Sequence, residues 1–266
     1  MKIFSLDIYN WTFGAFFDTI KKPEKKTIVF TPNPEILMKA YRDDDFYVVL
    51  KKAQYLVPDA TGLYTASLIE EGKSYLSALF MTLFQRKKLE EKYGQLIPGS
   101  SLTKSLVDYA IASGETILMI DNYRITEPQS PFEVKKMQVQ QHLALLFYEK
   151  FPNLKVEVVF DGEMSNEKVA EKIIEKDIRF VFSCIGMKLQ EKRLVEIFSF
   201  IPESTKVVGI GVGSSFDYLL GLQKRAPQIF QKYWLEWLYR LLMDPLWRWK
   251  RIKAALIDFP KLVEQK

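Results

Sequence analysis

A chain of 266 residues, 48% apolar and 27% charged, has material for one large domain or two small ones with an ample core. The single Cys184 excludes an intrachain disulfide and a multi-cysteine zinc site, which fits a reducing cytoplasm. The single histidine, His142, excludes a histidine cluster, so carboxylates, amides and arginines must carry any chemistry. Charge is distributed unevenly. Residues 223–266 hold ten Lys/Arg, four Asp/Glu and four of the five tryptophans, a balance of +6, whereas residues 1–222 hold 28 basic and 29 acidic side chains.

The opening residues MKIFSLDIYNWTF lack the apolar run and small-residue cleavage site of a signal peptide. No stretch reaches the roughly 18 uncharged apolar residues that a transmembrane helix needs. β-branched runs then alternate with helical patterns. Strands are expected over 25–33, 54–62, 115–122, 154–162, 178–186 and 205–213, and helices over 34–53, 102–114, 134–153, 166–177 and 190–202. Residues 68–96 read as a helical excursion with a basic flank at Arg86, Lys87 and Lys88. Continuous apolar strands separated by helices predict an α/β fold: an open, mostly parallel, Rossmann-like sheet with helices on both faces. Ligands of such sheets lie beyond the carboxyl ends of the strands.

The tail is helical by pattern. Pro227 suits a first turn, and Phe230, Trp234, Trp237, Leu238 and Leu241 share one face at three- and four-residue spacing. Asp244-Pro245 interrupts the pattern, and a second short helix follows. Tryptophan on the apolar side with Arg/Lys around it is the composition of an interfacial membrane helix. The expected division is therefore an α/β core over 1–222 and a helical membrane-binding appendage over 223–266. A nucleic-acid partner is disfavoured, because the near-neutral body offers no second basic patch.

The distinctive residues gather at the expected strand ends, and each has a plain structural alternative. Thr31 and Asn33, in Thr-Pro-Asn-Pro, place a hydroxyl and an amide where sugar hydroxyls could be held, or cap the next helix. Asp59, in Val-Pro-Asp-Ala-Thr-Gly, is good turn chemistry. Gln190 and Glu191, after Gly186, suit a helix N-terminus. Gly209, Gly211 and Gly213 bring backbone N–H groups to a diphosphate or permit a tight turn. The Asp43-Asp44-Asp45 run contains an Asp-x-Asp spacing used for metal-nucleotide binding, but it interrupts a helical pattern and reads as a solvated turn; no metal site is expected. His142, within a helical pattern, reads as structural.

The segment GVGSSFDYLLGLQKRAPQIFQKYWLEWLYRLLMDPLWRWKR, with the earlier FTPNPEIL, VPDATGL, PGSSL and GMKLQE, resembles the TagA/WecG/CpsF family of bacterial glycosyltransferases along nearly the whole chain. The resemblance implies transfer of a sugar, often N-acetylmannosamine, from a UDP donor to a polyprenyl-diphosphate-linked sugar on the cytoplasmic membrane face. Such transfers build teichoic acid, common antigen or capsule. It makes Asp59 the catalytic base and assigns sugar or nucleotide contacts to Thr31, Asn33, Gly186, Gln190, Glu191, Gly211, Gly213 and Asp217. Arg225, Arg240, Arg248 and Arg251 become candidates for diphosphate and lipid head groups, since a guanidinium fork matches phosphate oxygens in pairs. The reaction it implies is inverting, metal-independent and free of cofactors. A homo-oligomer stays open, because apolar tail surface buries against a partner chain as readily as against lipid.

Six positions depart from the pattern. Ala60 and Ser101 replace a glycine and an aspartate, and Asp121-Asn122 stand where Gly-Gly is usual. Lys188 and Leu189 replace Pro-Lys. These departures keep a second expectation alive, a catalytically degenerate member that binds nucleotide-sugar or lipid-linked sugar as a scaffold.

Overall fold

The computed structural model describes residues 1–122, 134, 143–222, 226–227, 230, 236–243, 249 and 252–265. Its centre is a six-stranded sheet of β3 (Thr27–Phe30), β4 (Tyr55–Leu56), β5 (Thr116–Asp121), β6 (Lys155–Phe160), β7 (Ile178–Ser183) and β8 (Val208–Gly211), ordered β4-β3-β8-β7-β5-β6 with every pairing parallel. The expected α/β architecture with helices on both faces is present.

Side chains alternate across the sheet because successive strand residues point to opposite faces. Ile28 and Phe30 of β3, Leu118 and Ile120 of β5, and Val181 of β7 enter one core. Val29, Ile117, Met119, Phe180 and Phe182 enter the other. Burial on both faces is what makes these strands continuously apolar.

The second core is covered by α1 (Phe13–Lys21), α7 (Gly99–Ser113), α8 (Leu143–Lys150) and the short α11 (Ser215–Leu219). The first is covered by α2 (Pro34–Tyr41), α3 (Asp44–Lys51), α4 (Gly62–Glu70), α5 (Tyr75–Phe84), α6 (Arg86–Tyr93), α9 (Asn166–Glu175) and α10 (Leu189–Ser199). The helix expected over 34–53 is two. Asp43 adopts an extended φ of −143° and its carboxylate accepts from Phe46 N at 3.0 Å, so it caps α3, with Asp44 and Asp45 in the first turn. Carboxylates at that position complement the helix dipole, and this is why three consecutive aspartates start a helix there. The excursion over 68–96 is likewise three helices.

Two elements have no counterpart in the sequence expectations, besides α1. A hairpin of β1 (Lys2–Ile3) and β2 (Leu6–Asp7) turns through Phe4 (φ 50°) and Ser5 (φ 63°). At the other end, a π-helical turn (Ala254–Asp258) leads into α13 (Phe259–Glu264), which packs on α2, α4 and α5. Phe259 is fully buried, meets the Phe4 ring edge-on at 5.9 Å, and joins Val263 in the first core. The division expected after residue 222 was drawn on charge and composition; the described end of the chain, 252–265, is packed into the body. Between these parts lies α12 (Glu236–Met243), and no helix among the described residues is long and apolar enough to cross a membrane.

Candidate active site

The strand registers align the carboxyl ends of five strands in one row. Leu56 pairs with Phe30, Phe30 with Gly211, Gly211 with Ser183, and Ser183 with Ile120. The loops that leave this row carry Thr31 and Asn33, Asp59, Asp121 and Asn122, Gly186 to Glu191, and Val212 to Asp217. The expected site residues of the body thus share one rim.

One group forms where β3, β4 and α7 meet. Asp59 is half-buried; its backbone N donates to Pro32 O at 3.2 Å, and its carboxylate Oδ1 accepts from Gly99 N at 2.8 Å. Ile97 N donates to Pro58 O at 2.7 Å, so the chain entering α7 is bonded to the strand end that carries Asp59. A carboxylate at the N-terminus of a 15-residue helix faces the positive end of its dipole, which favours a charged side chain there. A Cβ on Gly99 would stand 3.0 Å from Thr31 Oγ1, so a larger residue there would crowd the Thr31 hydroxyl at the end of β3. The helix expected from residue 102 begins at Gly99, and the bond from Gly99 to Asp59 has no sequence signal. Asn33 is the N-cap of α2, its Oδ1 accepting from Ile36 N at 3.1 Å. Its amide oxygen therefore has a structural task, in keeping with the plain alternative for this residue.

The second group joins the β7 and β8 loops. Gln190 is 5% exposed, and its Oε1 accepts from Gly213 N at 3.0 Å while its Nε2 donates to Glu191 Oε1 at 2.7 Å. Gly211 permits this: a Cβ there would lie 3.0 Å from Gln190 Nε2. Glu191 is 1% exposed and its Oε2 accepts from Lys188 N at 2.6 Å, an interaction that closes the N-terminus of α10. Burial raises the Glu191 pKa above the ordinary glutamate range, the hydrogen bonds from Gln190 and Lys188 opposing it. Glu191 thus holds the loop, and Gln190 ties β7 to β8. Gly186 (φ 95°) and Gly213 (φ 51°) bend the two loops, and Asp217 is buried in the first turn of α11.

A contact unforeseen in the sequence links the periphery of the site. Lys188 Nζ donates to Asp43 Oδ2, bridging the start of α3 to the start of α10, and the same pairing lowers the Asp43 pKa. Lys188 sits at φ 74°, a region closed to proline, whose ring fixes φ near −65°. This loop therefore cannot follow the Pro-Lys form of the resemblance. At the end of β5, Asp121 is 3% exposed and its Oδ1 accepts from Asn122 N at 2.8 Å. Among the described residues no group of three or more His, Cys, Asp or Glu side chains is placed to hold a metal ion. Arg225, Arg248 and Arg251, with Trp234 and His142, lie outside the described residues, and Arg240 falls in α12.

The sequence model of the glycosyl transferase WecG/TagA/CpsF family matches residues 1–100 and 134–265. Similar curated proteins are N-acetylglucosaminyldiphosphoundecaprenol N-acetyl-beta-D-mannosaminyltransferases. That of Bacillus subtilis (strain 168) is 28% identical over 264 residues, spanning 97% of this chain and 88% of the relative. That of Bacillus spizizenii is 27% identical over 90% of this chain and 78% of the relative. The Staphylococcus aureus (strain MW2) enzyme is 25% identical over 94% and 85%. With a matching family model over most of its length and this rim of strand-end residues, the chain belongs to the WecG/TagA/CpsF family and is a glycosyltransferase.

Proposed function

We propose that the protein moves N-acetylmannosamine, or a similar hexose, from a UDP-sugar to a polyprenyl-diphosphate-linked N-acetylglucosamine in bacterial cell-surface polymer synthesis, teichoic acid being the nearest case. The observation that carries the reading is the 2.8 Å bond from Gly99 N to Asp59 Oδ1, which fixes a carboxylate at the rim of the sheet. In the reaction, the carboxylate of Asp59 takes the proton of the acceptor hydroxyl as that oxygen attacks the anomeric carbon. The bond from the anomeric carbon to the UDP oxygen breaks on the opposite face, UDP leaves with the electron pair, and the configuration inverts. Thr31 orients sugar groups, and the diphosphate rests against the Gly211–Gly213 turn, whose shape Gln190 holds by accepting from Gly213 N.

Arg225, Arg240, Arg248 and Arg251 neutralise the charge of the leaving diphosphate, which removes the need for a metal ion. The protein works without a cofactor as a peripheral protein on the cytoplasmic face of the membrane. The test is transfer from UDP-N-acetylmannosamine to a synthetic polyprenyl-diphosphate-N-acetylglucosamine, in EDTA, with the anomeric configuration read by NMR. Inverted product at an undiminished rate supports the reading, and retention or dependence on added metal refutes that part of it. The buried Asp121 beside Asn122 favours a second reading, a non-catalytic scaffold, which absence of turnover with any UDP-sugar would support.

A further inference from the structure

Helix α5 exposes apolar side chains that the fold does not cover. Leu76, Phe80, Leu83 and Phe84 are 75%, 56%, 53% and 71% exposed, while Ala78 and Thr82 on the opposite side are buried. Their positions, spaced by four, three and one, form one helical face. Together they present on the order of 400 Å² of apolar surface, large for one ten-residue helix of a soluble protein. Phe80 and Phe84 lie against each other at 4.9 Å, so the patch is continuous along the helix.

The rim of this face is basic. Arg86, Lys87 and Lys88 follow Phe84 after Gln85 and are exposed, with Arg86 also bonded to Glu90, and exposed Lys73 precedes the helix. The body otherwise carries no net positive charge over residues 1–222. The face is also directed by its packing. Thr65 Oγ1 and Thr82 Oγ1 lie 3.0 Å apart, so the end of α5 runs beside the beginning of α4, which starts three residues after Asp59. From there α6 leads through Gly94, held by Tyr64 Oη at 2.5 Å, to Gly99 at the Asp59 carboxylate. At its other end, α5 is bonded to the tail, Tyr75 Oη donating to Leu256 O at 2.7 Å.

We propose that the exposed face of α5, with Lys87 and Lys88, docks the body of the protein onto an anionic lipid surface. Aromatic and leucine side chains enter the head-group and acyl boundary, and the lysines meet lipid phosphates, a division that matches both halves of the face. The site's end of the molecule is thereby brought to the membrane without reliance on the tail alone. The proposal rests on the membrane-acting reading above only for its purpose; lipid binding is measured apart from transfer.

The experiment is co-sedimentation of the full chain with vesicles of equal parts phosphatidylglycerol and phosphatidylcholine. Two variants are compared with the wild type: Leu76→Ser/Phe80→Ser/Phe84→Ser and Lys87→Glu/Lys88→Glu. Because all five side chains are exposed, unchanged circular dichroism melts are expected. Partitioning should weaken about tenfold or more in each, with transfer to a water-soluble short-chain acceptor unchanged. Vesicle binding equal to wild type in the triple variant overturns the proposal. So does a wild-type dimer in light scattering that the triple variant dissociates, since the face would then belong to a second copy. If no variant or wild type transfers sugar but the vesicle difference persists, the docking face stands and the enzymatic reading alone fails.

Discussion

Gly211→Ala is expected to disturb the junction of β7 and β8 through Gln190 alone. The added Cβ would stand 3.0 Å from Gln190 Nε2 and 3.3 Å from its Cδ and Cγ, closer than a buried side chain tolerates without moving. Gln190 is 5% exposed, so it has little room, and its displacement breaks the 3.0 Å bond from Gly213 N and the 2.7 Å bond to Glu191. Overpacking in a filled core costs about 1–3 kcal/mol, and each neutral hydrogen bond lost adds about 1 kcal/mol. With both bonds lost, the expected total is roughly 3–5 kcal/mol. In a Gln190→Ala background the obstructing atoms are gone, and Gly211→Ala should cost under about 1 kcal/mol. The assay is a double-mutant cycle by urea unfolding, followed by far-UV circular dichroism. A coupling of about 1 kcal/mol or more supports the geometry; costs that add within about 0.3 kcal/mol refute it.

Phe259→Ala should destabilise the protein by about 3–5 kcal/mol in urea unfolding, because a fully buried ring against Phe4 is removed; a loss below about 0.5 kcal/mol would mean that α13 is only loosely attached. Glu191 is buried with a raised pKa, so its folded form holds a proton that the unfolded chain releases at lower pH. Its contribution is therefore fully present below the ordinary glutamate pKa and declines as pH rises toward the raised folded value. The stability difference between wild type and Glu191→Gln should shrink across that window in a pH series of urea melts, and a difference that grows with pH would contradict the sign. Lys188→Gly exchanges relief of a positive φ for loss of a surface ion pair, and unfolding free energy should stay within about 1 kcal/mol of wild type.

The sheet was legible in the sequence because each strand is buried on two faces, and a run such as Ile117-Leu118-Met119-Ile120 admits few other readings. Loop chemistry was legible as position rather than role. Asn33 and Glu191 stand where the residue pattern places them, yet both make cap bonds that any helix start could use. The hairpin at Phe4-Ser5 escaped notice because its two left-handed residues are not the Asn-Gly or Asp-Gly that mark such turns. The interruption at Asp43 was legible as a solvated turn, but the restart of a helix there was not, because only the cap bond to Phe46 shows it. In the tail, the charge and tryptophan pattern carries no sign of the burial of Phe259 and Val263, which binds the chain end to the core. Residues 68–96 were legible as a helical excursion with a basic flank, but the exposed apolar face of α5 depends on which side of the helix α4 and α13 occupy.

The most direct test of the catalytic account is Asp59→Asn. Asparagine keeps an oxygen able to accept from Gly99 N and caps a helix about as well as aspartate, so fold and UDP binding should be retained. It cannot take up the acceptor proton, and transfer to a polyprenyl-diphosphate-linked acceptor should fall about 10²- to 10⁴-fold. UDP affinity by calorimetry within about twofold of wild type, together with that loss, is the result the account predicts. Transfer at the wild-type rate in Asp59→Asn would contradict it.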